Sequence, residues 1–146
     1  MRLTVIDRAF QTFGGFTSGI GVHYGPSVTV VNAHQSLATN LIIGERVPPQ
    51  KFVRGADASS CELQDLLPSD FSYKLIVFTG NLNDPLQQER IASVVKALER
   101  PESFLTKYAS NSQAKSRFDI ITVCKGKKEE FDYLKVPKLL RPHWSK

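Results

Sequence analysis

Two apolar strand patterns with a helix pattern between them constrain this sequence most. The segment Tyr73–Thr79 consists of β-forming residues, and its four central side chains are all apolar, which is typical of a strand covered on both faces. Asp84 and Pro85 then predict a helix start, because Asp caps the first amides and Pro has no N–H to lose there. A second strand pattern follows at Arg117–Cys124. The order predicts a β-α-β unit with parallel strands.

The N-terminal half contains shorter and weaker patterns. Apolar spacing over Arg2–Phe13 predicts a short amphipathic helix that ends at the glycine pair 14–15. Val28–Val31 is predicted to be a strand, and Gly44–Arg54, with two prolines, an extended edge segment. Cys61–Leu67 either closes a hairpin or begins a helical turn. We therefore expect this half to be rich in loops.

Charge and cysteine usage exclude several classes of protein. The net charge is +5, but residues 1–70 hold five basic and six acidic side chains, against fourteen and eight in residues 71–146. The densest basic stretch, Lys125–Glu130, is half neutralised by its own glutamates and has no interleaved aromatic residues, so nucleic-acid binding is not expected. Cys61 and Cys124 lack metal or redox spacing. With neither a signal-peptide pattern nor a bilayer-length apolar run, we expect a cytoplasmic protein without a metal or a membrane partner.

Three residues are candidate catalytic groups. His23 and Tyr24 lie beside glycines, and an imidazole next to a phenol can protonate and deprotonate a phenolic or enolic substrate. Asp57 is a candidate general base. The alternative is structural: His23 and Tyr24 hydrogen-bond to backbone in a strand, and Asp57 is an ordinary loop carboxylate.

Three further residues are candidate substrate-binding groups. Arg46 and Arg54 can supply a positive partner for an oxyanion, and Trp144 can seal a pocket or a dimer seam with its indole. The alternative is again structural, because arginines in loops are common surface residues.

Four segments together resemble the C-terminal region of the flavin-dependent phenol 2-monooxygenase family of aromatic hydroxylases. They are Phe16–Tyr24, Ser36–Arg46, Leu63–Asp70 and Tyr73–Phe78, and the resemblance extends from about Phe16 to Trp144. It implies an α/β fold of the thioredoxin-like type, in that family a non-redox domain concerned with dimer contacts. It also implies a division into residues 1–35, an N-terminal helix with a glycine-rich strand segment, and residues 36–146, a partial thioredoxin-like domain.

The sequence departs from this family in two ways. Nothing resembles the FAD-binding half, since Gly19 and Gly21 do not follow a clear strand and Tyr24 replaces the third glycine of a dinucleotide fingerprint. The family's closing hairpin and helix are also missing, so we expect a truncated thioredoxin-like fold with loop-rich N-terminal strands. The loop from Thr79 to Pro85 has no cysteine. The chain is therefore not expected to be a disulfide oxidoreductase, nor a flavin monooxygenase by itself, and no cofactor is expected.

The missing hairpin would leave one edge of the Tyr73–Phe78 strand unpaired. An apolar strand with an open edge promotes aggregation unless something covers it. Either the N-terminal strands or a second copy of the chain can do so, and we expect a two-fold homodimer.

Two functions from different classes remain open. The first is a binding or assembly module, a stand-alone relative of the dimerisation domain. The second is a small cofactor-independent isomerase, cyclase or hydratase that binds a phenolic or polyketide intermediate of secondary metabolism. A fragment of a longer gene product is a third possibility. An enclosed pocket on which the candidate residues converge would favour the enzyme.

Overall fold

The computed structural model describes residues 5–108 and 117–141, so the candidate Trp144 lies outside the described residues. The chain divides into two compact units, of which one ends at Pro49 and the other begins at Gln50. The predicted division between residues 35 and 36 stays a prediction. No helix in the described ranges is long and apolar enough to cross a membrane.

Helix α1 of the first unit spans Val5–Ser18 and passes through the glycine pair at which we predicted its end. Two hydroxyl groups satisfy carbonyls of the last turn: Thr17 donates to the carbonyls of residues 13 and 14, and Ser18 donates to that of residue 15. The helix stops at Gly19, whose φ of +72° is left-handed. The helix end is therefore decided by Gly19 and the capping hydroxyls, not by the first glycines.

The predicted strand at Val28–Val31 is wrong. The amides of Thr29 and Val30 donate to the hydroxyl of Ser27, and the backbones of Ser27 and Val30 bond to each other, which forms a turn. Val28 is 99% exposed. The β-branched pattern has no partner strand here, so the local turn prevails. A short 3₁₀ helix, Gln35–Leu37, follows.

The second unit begins with a hairpin of strands β1, Lys51–Val53, and β2, Ser60–Glu62. They are antiparallel, with Phe52 opposite Cys61. The predicted extended segment thus ends in an edge strand. Both alternatives for the Cys61 region hold, because a 3₁₀ helix, Leu63–Leu66, directly follows β2.

The predicted β-α-β unit is confirmed. Strand β3, Tyr73–Gly80, pairs in parallel with strand β4, Phe118–Cys124, and helix α2, Pro85–Leu98, lies between them in sequence. The Asp84 carboxylate accepts a hydrogen bond from the Leu86 amide at 3.0 Å. A one-turn helix α3, Phe104–Lys107, follows α2. The α/β class is confirmed, and the thioredoxin-like arrangement stays a prediction.

The core of this unit joins α2, one face of the sheet and the C-terminal segment. Its buried members are Leu82, Ile91, Val136 and Leu140. The partly buried side chains packed against them include Val77, Val95, Leu98, Ile120, Cys124 and Phe131. On α2, Ile91 is buried and Val95 and Leu98 pack against the core, whereas Leu86 and Val94 are exposed.

The C-terminal segment is fixed to the sheet by polar contacts as well. It contains three 3₁₀ turns: Lys128–Glu130, Tyr133–Lys135 and Lys138–Leu140. The Thr122 hydroxyl of β4 donates to the Leu140 carbonyl at 2.6 Å, and Arg141 donates to the Val136 carbonyl at 2.8 Å. This segment, rather than a further strand, closes the core.

Candidate functional site

His23 lies beside an acidic residue in the first unit. It forms an isolated antiparallel bridge with Glu45, and its Nδ1 is 3.6 Å from Glu45 Oε1. The neighbouring Tyr24 amide donates to the Gly44 carbonyl at 2.9 Å. Gly44 has a φ of +94°, and a Cβ there would lie 2.2 Å from the Tyr24 carbonyl oxygen. A glycine is therefore required for the chain to bring His23 and Glu45 together.

Both His23 and Tyr24 are accessible to solvent. The His23 side chain is 53% exposed, and Tyr24 is 65% exposed. An exposed imidazole near a carboxylate can exchange protons with a ligand. Sequence reasoning missed Glu45, and the spacing of 22 residues gave no signal for the pair.

A shallow pocket of about 140 Å³ lies in the first unit. Its polar lining residues are Asn40, Glu45 and Arg46, and its apolar ones include Ile20 and Ile42. Arg46 Nη1 also donates to the Ser18 carbonyl at 3.2 Å, at the end of α1. Arg46 thus has a structural contact in addition to its place in the pocket wall.

The candidates Arg54 and Asp57 lie in the second unit, in the β1–β2 turn. Arg54 Nη1 is 3.6 Å from Asp57 Oδ2, and Asp57 Oδ1 accepts from the Ser59 hydroxyl at 2.7 Å and the Ser59 amide at 3.0 Å. The pKa of Asp57 lies below its usual value. The main cause is the hydrogen bond from the Ser59 hydroxyl, followed by that from the Ser59 amide, and the nearby Arg54 charge also lowers it. These contacts stabilise the turn, and a lowered pKa makes a carboxylate a weaker base.

A charged cluster of Asp70, Ser72, Lys74 and Asp119 lies at the start of the parallel strands. Lys74 and Asp119 are register partners, and the Lys74 ammonium donates to Asp119, to Asp70 at 2.8 Å and to the Ser72 hydroxyl. Hydrogen bonds to Asp119 and then Asp70 raise the pKa of Lys74. Every member of the cluster has a hydrogen-bond partner within it, which indicates a structural role.

Neither cysteine is placed for thiol chemistry of the thioredoxin type. Both are free and half-buried, and Cys124 packs against the core. The loop between β3 and α2 has no cysteine in its sequence. Within the described ranges, no group of three His, Cys, Asp or Glu residues can hold a metal ion.

Comparison with known proteins identifies the family. A sequence model described as phenol hydroxylase, C-terminal dimerisation domain, matches residues 22–146. The chain belongs to this family. The resemblance to this family is thereby confirmed, and the segments Ser36–Arg46, Leu63–Asp70 and Tyr73–Phe78 lie wholly within the matched residues, whereas only the end of Phe16–Tyr24 does.

Three curated relatives of this dimerisation-domain chain are monooxygenases. FAD-dependent monooxygenase terD of Aspergillus terreus is 28% identical over 139 residues, 93% of this chain and 23% of its own length. Phenol 2-monooxygenase fsqG of Aspergillus fumigatus is 30% identical over 135 residues, 89% of this chain and 21% of its own. 3-Hydroxybenzoate 4-monooxygenase of Comamonas testosteroni is 36% identical over 84 residues, which are 57% of this chain and 13% of its own length. The chain thus spans less than a quarter of the length of these relatives.

Proposed function

We propose that this chain is a non-redox, cofactor-free assembly module that forms a homodimer in the cytoplasm. The observation that carries the proposal is the match of residues 22–146 to a domain described by its role in dimerisation. The packing of the second unit supports it, because its sheet leaves large apolar side chains in contact with solvent.

Aromatic side chains at both ends of β3 are exposed. Phe71, just before the strand, is fully exposed, Tyr73 is 71% exposed, and Phe78, near the strand's end, is 58% exposed. Aromatic residues are enriched at protein interfaces because each buries a large apolar area. Exposed aromatic side chains along one strand therefore support a protein–protein contact.

Sedimentation or light scattering tests the assembly role. At low micromolar concentration, the purified chain is expected to have twice the mass of the monomer, 16.3 kDa, and to dissociate on dilution. A monomer at every concentration, with circular dichroism that shows an intact fold, would contradict the homodimer.

A second candidate function rests on the His23–Glu45 pair next to the pocket wall. In this hypothesis His23 exchanges protons with a phenolic or polyketide intermediate, Tyr24 assists, and Arg46 binds the substrate. Incubation of such intermediates with the wild type and with His23→Ala tests it. Equal product spectra from both proteins would end this hypothesis and leave the assembly role intact.

A further inference from the structure

Two residues other than glycine have a left-handed backbone in the described part of the chain. They are Ala58, with a φ of +58°, and Phe71, with a φ of +62°. A positive φ is unfavourable for a residue with a Cβ, and most of all for a bulky one. Such a conformation persists only where the surrounding structure imposes it. Its cause must therefore lie in the contacts around these two residues.

Both residues are the middle of an Asp-x-Ser triplet with the same hydrogen bonds. Asp57 Oδ1 accepts from the amide of Ser59 at 3.0 Å and from its hydroxyl at 2.7 Å. Asp70 Oδ1 accepts from the amide of Ser72 at 3.2 Å and from its hydroxyl at 2.6 Å. We call this arrangement the Asp–Ser clamp. Because it joins a side chain to the backbone two residues later, it restricts the residue between them.

The ring of Phe71 does not account for its backbone conformation. The side chain is fully exposed, so no packing within residues 5–108 and 117–141 holds it. The left-handed region is also less favourable for a large side chain than for the methyl group of Ala58. An Asp–Ser clamp that is sufficient at Ala58 therefore needs additional support at Phe71.

Two charged residues of the sheet give the second clamp this support. The Lys74 ammonium donates to Asp70 Oδ1 at 2.8 Å and also to Asp119 of β4. The Ser72 hydroxyl lies 2.9 Å from Asp119 Oδ2, so two carboxylates are close to a group with one hydrogen to donate. The ammonium keeps both carboxylates in place by neutralising their repulsion. Its side chain is 13% exposed, and water weakens such charged hydrogen bonds less there than at the surface.

We propose that Lys74 and Asp119 lock the Asp70–Ser72 clamp, and that the locked clamp is a conformational latch that holds Phe71 in its left-handed conformation. Lys74 is a positioning residue, since it acts on Phe71 through Asp70. When the latch is opened, Phe71 leaves the left-handed region. The locked state fixes the direction of the exposed ring, so a contact made by this ring costs less conformational entropy. This inference concerns one chain and does not depend on the proposed homodimer.

Substitutions at Phe71 separate the backbone strain from the ring. Phe71→Gly is expected to raise the melting temperature by about 2–5 °C, because glycine adopts a positive φ without steric cost. This gain is what remains after the larger entropy loss of glycine on folding. Phe71→Ala is the matched control. It removes the ring but retains the Cβ, so its melting temperature should stay within about 1 °C of the wild type.

Lys74→Met tests whether the charges hold the corner. In this background the gain from Phe71→Gly is expected to fall by about half or more, because Phe71 has already left the strained conformation. Ala58→Gly relieves strain at the clamp that has no lysine, so its gain should be equal in both backgrounds. Ser72→Ala opens the latch with all three charges retained, and it replaces Lys74→Met if that variant does not fold.

Nuclear magnetic resonance measures the corner directly. A positive φ brings the amide proton of a residue close to its own α proton, so Phe71 and Ala58 should both show a strong nuclear Overhauser effect between these protons. In Lys74→Met or Ser72→Ala, the effect at Phe71 should weaken and that at Ala58 should persist. Loss of a merely stabilising ion pair would change neither.

Two results would overturn the latch. One is a Phe71→Gly protein that is no more stable than Phe71→Ala, since Phe71 would then carry no backbone strain. The other is a folded Lys74→Met or Ser72→Ala protein in which the gain from Phe71→Gly and the Overhauser effect at Phe71 are both unchanged. The corner would then be held without the charged cluster. Neither result bears on the homodimer, whose mass is measured separately.

Discussion

Single residues decide two local features of this protein. Gly44 allows the close approach of its backbone to the Tyr24 carbonyl, and Lys74 holds two carboxylates from different parts of the chain. For Asp119, a partner can be expected from sequence because a strand carboxylate between apolar residues needs one. Which residue serves as the partner depends on the parallel register of β3 and β4.

Gly44→Ala should destabilise the protein by about 1–3 kcal/mol, because φ is left-handed and the new Cβ would collide with the Tyr24 carbonyl oxygen. Gly25→Ala is the control, since nothing lies within 4 Å of a Cβ there. Urea denaturation measures both. Equal stability of the two variants would contradict the close approach.

Lys74→Met should lower the melting temperature at neutral pH, because it leaves Asp70 and Asp119 without their ammonium partner. The pKa of Lys74 is raised above 10.5 in the folded state, so its contribution is complete below 10.5 and is lost as the pH rises through the folded-state pKa. The difference from the wild type should therefore shrink at high pH. Lys51→Met, at an exposed ion pair, should change little.

Secondary structure was predictable where local chemistry and long-range packing agree. The β-α-β unit has a strong apolar pattern and a capped helix start, and both are present. The turn at Ser27–Val30 shows the opposite case, because β-branched residues do not form a strand without a partner. The role of the C-terminal segment was also missed, since its short 3₁₀ turns have no apolar period to detect.

Leu140→Ala should destabilise the protein by about 2–5 kcal/mol, because this side chain is buried in the core beneath β4. Leu134→Ala, at an exposed position of the same segment, should remain within about 0.5 kcal/mol of the wild type. Thermal denaturation followed by circular dichroism gives both values. A similar loss in both variants would mean that the segment does not close the core.

At the scale of the whole molecule, the chain consists of two compact units, and the core residues Leu82, Ile91, Val136 and Leu140 all belong to the second. The match to a dimerisation domain covers parts of both. The candidate residues are divided in the same way, with His23, Tyr24 and Arg46 in the first unit and Arg54 and Asp57 in the second.

A polypeptide of residues 50–146 should fold on its own, since it is a compact unit that contains the buried core residues Leu82, Ile91, Val136 and Leu140. Calorimetry is expected to show one cooperative transition, and Leu140→Ala in this polypeptide should lower its midpoint. The absence of a cooperative transition would show that the second unit depends on residues before Gln50.

The sequence by itself determined the family, the α/β class, the helix start at Asp84 and the apolar character of both parallel strands, because these depend on local patterns of residues. Tertiary structure alone decided that Glu45 reaches His23, that Asp119 reaches Lys74, and that Leu140 closes the core. Each of these contacts joins residues distant in sequence, and their pairing depends on how the whole chain packs rather than on any local period.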